Sequence, residues 1–88
     1  MTPLDFLVTA SAVADPTRWR MLSMLHGGPL CVSQLADRAG VTPSAVSYHV
    51  RRLGDAGLVV THREGRRTVV RRVERRWQTI VGALTAAE

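Results

Sequence analysis

Nine of the chain's twelve arginines stand between Arg51 and Arg76, opposed there only by Asp55, Glu64 and Glu74, so this stretch carries a net +6. Upstream, Arg18, Arg20 and Arg38 are balanced by Asp5, Asp15 and Asp37, and the last twelve residues hold a single charge, Glu88. There is no lysine. Arginine presents a planar fork that takes phosphate oxygens or a guanine edge at two points. A neutral half followed by a basic half therefore predicts a polyanion partner met by one face. Other chemistry is sparse. One cysteine, Cys31, excludes an intrachain disulfide framework and zinc modules built on four cysteines or on two cysteines and two histidines. His26, His49 and His62 are scattered, and no paired carboxylates, glycine-rich phosphate loop or nucleophile with a neighbouring base occurs. Neither an enzyme, a metal site nor a cofactor is expected.

The elements that must position these arginines announce themselves through caps. Thr2-Pro3, Asp15-Pro16 and Thr42-Pro43 each set a capping side chain before a proline at the first helical position, where its missing N–H costs nothing. Helices are predicted over 3–13, with Asp5 completing a capping box, and over 16–26, stopped by Gly27-Gly28-Pro29. A third helix begins within Cys31–Ser33 and ends at Gly40, with Val32, Leu35, Ala36 and Ala39 on one face. A fourth runs over 43–56, closed by Gly57, and the short link Gly40-Val41-Thr42 makes the pair a helix-turn-helix. Two β-branched runs about Glu64-Gly65 read as a hairpin, and 74–87 returns to helical spacing. The fold class predicted is mainly α with a β-hairpin wing, a winged helix-turn-helix in the order α-α-α-α-β-β-α. At 88 residues it is one domain.

On the helix over 43–56, Val46, Val50, Leu53 and Gly57 form the buried stripe. The opposite face collects Ser44, Ser47, Tyr48, Arg51 and Asp55, with Arg52 at its edge. Short hydroxyls, one aromatic and arginines suit a helix laid in the major groove of double-stranded DNA. Arg63, Arg66 and Arg67 near the hairpin tip would reach a flanking minor groove or its phosphates, adding affinity more than specificity.

Several of these segments have a familiar order and spacing. Ala14-Asp15-Pro16-Thr17-Arg18, Leu30-Cys31-Val32-Ser33-Gln34-Leu35-Ala36, Val46-Ser47-Tyr48-His49-Val50-Arg51-Arg52-Leu53, Ala56-Gly57-Leu58-Val59 and Arg63-Glu64-Gly65-Arg66 resemble the ArsR/SmtB repressors, without a gap over about 12–72. The resemblance implies a homodimeric winged-helix repressor whose first and last helices form the dimer interface. Leu4, Leu7 and Val8 on the first helix and Trp77, Ile80, Val81 and Leu84 on the last supply the apolar surface this would need. Repression of a palindromic operator is the implied function. Sensing departs from the family pattern. Arsenic- and cadmium-sensing members carry Cys-Val-Cys where this chain has Cys31-Val32-Ser33, and zinc- and nickel-sensing members use histidines and carboxylates on a last helix that here holds only Glu74 and Glu88. Cys31 is then a candidate redox or effector site, since a thiol at a helix N-terminus is favoured as thiolate. Whether any effector exists is left open. The alternative function is a winged-helix adaptor for an acidic protein, without sequence-specific DNA binding. No apolar run approaches the ~20 residues of a membrane span, and no basic segment precedes Leu7–Asp15 as a secretory signal requires, so a cytoplasmic protein is expected.

Overall fold

Hydrogen-bond accounting at the helix starts explains most of the architecture. The computed structural model of the chain describes residues 2–86. Helix α1 spans Pro3–Val13, with Thr2 and Asp5 satisfying each other's backbone N–H groups in a capping box. The Thr2 hydrogen bonds hold the Asp5 carboxyl below its ordinary value. Helix α2 spans Pro16–Met24 under an Asp15 cap. It ends two residues before the predicted His26, because Leu25–Gly27 tighten into a 3-10 turn. Helix α3 is Val32–Ala39, and α4 is Pro43–Asp55 under a Thr42 cap. Strands β2 (Val59–Glu64) and β3 (Arg67–Arg72) make the wing, and α5 covers Glu74–Ala86. Ala87, the last residue of the predicted final helix, lies outside the described residues.

A strand that the sequence pattern did not announce precedes α3. Numbered β1 in chain order, as the wing strands follow it, it is Leu30–Cys31. It pairs antiparallel with Val70 and Val69, giving a three-stranded sheet in the order β1-β3-β2. Two residues show no alternation, so only their partner some forty residues away makes them a strand. The wing turn is Gly65-Arg66, between the paired Glu64 and Arg67, with Gly65 at φ +61 where a side chain would be strained.

The core lies where the helices meet the root of the sheet. Met21, Leu22, Leu35, Val46, Leu53, Leu58, Val70 and Ile80 are all completely buried in it. Each such side chain contributes about 1.5–3 kcal/mol by leaving water. This core fixes α3 against α4 through the predicted stripe of Val46, Val50 and Leu53. The winged helix-turn-helix expected from the sequence is the fold the chain forms.

Two arginines are structural. Arg72, 6% exposed, donates to both carboxylate oxygens of Glu74 at 2.8 and 3.0 Å and to the Leu22 carbonyl at 2.8 Å. Its guanidinium carbon also lies 4.7 Å from the Trp77 ring centre, and Trp77 in turn packs on Trp19 at 5.0 Å. This node joins the wing to α2 and α5. Arg18 is buried as well, between α1, α2 and α4.

Candidate nucleic-acid interface

The apolar stripe of α4 turns its other side outward. Ser44, Ser47, Tyr48, Arg51 and Arg52 are all exposed, as are Arg63, Arg66 and Arg67 on the wing. Two shallow clefts between α4 and the wing bring several of them together. One, of about 280 Å³, is lined by Ser47, Arg66 and Arg67 with Cys31, Ser33 and Thr68. The other, of about 370 Å³, is lined by Ser47 and Arg51 with Asp55, Thr61 and Thr68. Ser44, Tyr48, Arg52 and Arg63 line neither, and Arg52 instead lines a cleft with Leu7 and Val8 of α1.

Some of these side chains are braced. The Arg52 guanidinium donates to the Tyr48 hydroxyl at 3.2 Å, one helical turn away. Arg63 donates to the Thr68 hydroxyl at 3.1 Å across the hairpin, where the two residues are paired. Bracing lowers the entropy such long side chains would lose on meeting a phosphate. Thr61 and Thr68 add hydroxyls to these clefts that reading helix faces alone missed. Their signal was available in the strand alternation, since Thr61, Arg63 and Thr68 share one face of the hairpin.

Acidic groups temper the basic surface. His62 Nε2 lies 2.7 Å from Glu64 Oε2, and that contact holds the Glu64 carboxyl below its ordinary value. Glu64 therefore stays ionised at the wing tip.

Cys31 is buried, its Sγ 3.1 Å from the Ser33 hydroxyl. That hydrogen bond first, and the Gln34 N–H second, draw the thiol below its ordinary value against the opposing effect of burial. Among the described residues, no three His, Cys, Asp or Glu side chains gather where they could hold a metal ion.

The apolar residues assigned to a dimer interface divide into three groups. Leu4 and Leu7 are 70% and 63% exposed, and Val8 and Leu84 are also open to solvent. Trp77 and Val81 are half-buried. Ile80 is a correction: it is completely buried in the protomer's own core. One helix stripe thus serves two purposes, because only the part over the core is covered by this chain.

Residues 15–61, more than half of the chain, match the pattern described as bacterial regulatory protein, arsR family. The chain belongs to the ArsR family. This ArsR-family chain is similar to the HTH-type transcriptional regulator NmtR of Mycobacterium tuberculosis, 46% identical over 69% of this chain and 51% of NmtR. It is also similar to the transcriptional repressor SdpR of Bacillus subtilis, 32% identical over 61% of this chain and 60% of SdpR. The chain therefore spans about half to three-fifths of these relatives' length. Among solved structures it resembles the homodimeric winged helix-turn-helix DNA-binding domain of a possible ArsR-family transcriptional regulator from Mycobacterium bovis. The TM-score is 0.83 at 25% identity, over 94% of this chain and 78% of that one. No helix among the described residues is long and apolar enough to cross a membrane.

Proposed function

We propose that this ArsR-family chain is a sequence-specific, DNA-binding transcriptional repressor that acts as a homodimer on a palindromic operator. The observation that carries the reading is the convergence of Ser47 and Arg51 on α4 with Arg66 and Arg67 on the wing about two adjoining clefts. In this reading α4 enters the major groove, with Arg51 taking a guanine edge and Ser44, Ser47, Tyr48 and Arg52 meeting bases or phosphates. Arg63, Arg66 and Arg67 hold the flanking backbone. The open face of Leu4, Leu7, Val8 and Leu84 seats the second copy, with Trp77 and Val81 at its margin. Two-fold symmetry then sets half-sites about one helical turn apart. The homodimeric relative of known structure supports this pairing, and the relative named as a repressor supports the sign of regulation. The protein acts in the cytoplasm, where the DNA is, and performs no catalysis. The family's thiolate and histidine sensing sites are not carried over to this chain, and Cys31, buried beside Ser33, is the candidate redox or effector site.

A salt series with duplex DNA tests the reading. Binding should weaken with a slope of roughly −0.9 log units per log unit of salt for every phosphate neutralised. Weak, sequence-blind binding with little salt dependence would instead identify an adaptor for an acidic protein.

A further inference from the structure

Arg18 is 8% exposed, yet the ion pairs among the described residues are His62–Glu64 and Arg72–Glu74, and neither includes it. A guanidinium buried without a carboxylate in contact is costly, and it persists only where its hydrogen bonds are good. Arg18 Nε donates to the carbonyl of Ala12 in the last turn of α1. Its Nη1 lies 3.2 Å from His49 Nδ1 on α4. Asp15 accepts from the Arg18 backbone N–H at 3.0 Å. That bond, reinforced by the Arg18 charge, keeps the Asp15 carboxylate ionised nearby.

A guanidinium has no acceptor, so Nδ1 of His49 must accept and any single ring proton sits on Nε2. The His49 ring meets Tyr48 edge-on at 5.3 Å, and the Tyr48 hydroxyl takes its hydrogen bond from Arg52. A continuous chain of contacts thus runs from α1, through Arg18 and His49, to two side chains on the outward face of α4. Val46, Val50 and Leu53 hold the other side of α4 by apolar packing, which resists a roll of the helix through many weak contacts, none of them directional. A hydrogen bond from a fixed guanidinium has direction and does not tolerate it.

We propose that Arg18 and His49 are positioning residues, whose hydrogen bond fixes the roll of α4 and so the height at which Tyr48 and Arg52 meet the base edges. This role rests on the DNA-binding reading above. It concerns discrimination between sequences, not the grip of the wing on phosphate.

The test uses the full chain, with a duplex selected from a random library and a scrambled duplex of equal length. In His49→Asn the amide oxygen can stand where Nδ1 stands, whereas His49→Leu fills the space without an acceptor. His49→Asn should keep the wild-type ratio of affinities for the two duplexes. His49→Leu should lose about tenfold of that ratio, the worth of roughly one base pair. Its affinity for the scrambled duplex should stay within about twofold, because phosphate contacts dominate there. Nitrogen NMR should show the neutral His49 ring with its proton on Nε2 and Nδ1 unprotonated. A His49→Leu variant with undiminished discrimination, or a proton on Nδ1, overturns the positioning role while leaving the DNA reading intact. A wild-type chain that treats the two duplexes alike overturns both.

Discussion

The exposed arginines of α4 and the wing and the buried arginines Arg18 and Arg72 are the same residue type put to opposite uses. Outside, Arg51, Arg66 and Arg67 stand exposed to water. Inside, Arg72 spends its donors on Glu74 and the Leu22 carbonyl, and Arg18 on the Ala12 carbonyl and His49. The nine arginines of the basic segment therefore overstate the cations offered to a polyanion, because Arg72 is paired with Glu74 at the root of the wing, while the net +6 already counts that carboxylate. Charge counted along a chain bounds what an interface can be. Burial decides which charges belong to it.

The sharpest way to break the comparison is to remove a buried arginine. Arg72→Ala should cost about 3 kcal/mol or more of folding stability, since it removes a buried guanidinium with its bonds to Glu74 and the Leu22 carbonyl and unlinks the wing from α2 and α5. Urea unfolding measures it, and a loss below about 1 kcal/mol would place Arg72 with the surface arginines. Next in size, Arg51→Ala should cost about 1–3 kcal/mol of operator affinity and relax preference at one base position, with unfolding unchanged. Selection from a random duplex library before and after the substitution would show it. Smaller still, Arg66→Ala and Arg67→Ala should weaken selected and scrambled duplexes alike. Each should flatten the salt slope by about one unit, read from affinities at several salt concentrations.

The smallest effect is a pH dependence of the Arg72 node. The hydrogen bond from Arg72 holds the Glu74 carboxyl below its ordinary 4.5, so folding favours the ionised form. Its contribution is complete above that value and is lost as pH falls through the lower folded-state value. Thermal melts below about pH 4.5 should accordingly fall less steeply in Glu74→Gln than in the wild type. Equal slopes would mean that the pair adds nothing to stability.

Much of the frame was legible beforehand for local reasons. Thr2, Asp15 and Thr42 each precede a proline, and each caps the helix it announces. The spacing of Val46, Val50 and Leu53 marked the buried side of α4, and with it the outward set from Ser44 to Arg52. The wing followed from β-branched runs about a glycine. What escaped were features made by distant partners. Nothing within Leu30–Cys31 signals a strand until Val69 and Val70 lie beside it. Nothing beside Arg18 or Arg72 in the sequence signals burial, and the carbonyl partner of Arg72 is fifty residues away.

The sequence by itself determined where each helix starts, which face of α4 turns inward and which family the chain belongs to. Those properties follow from caps, periodicity and order, all of them short-range. Only the tertiary structure decided that Ile80 packs within the protomer while Leu4 and Leu7 stay open, and that two arginines bind inward rather than outward. Periodicity places a residue on a face. What covers that face depends on elements far away in the chain, and there the balance between desolvation and hydrogen bonding is struck.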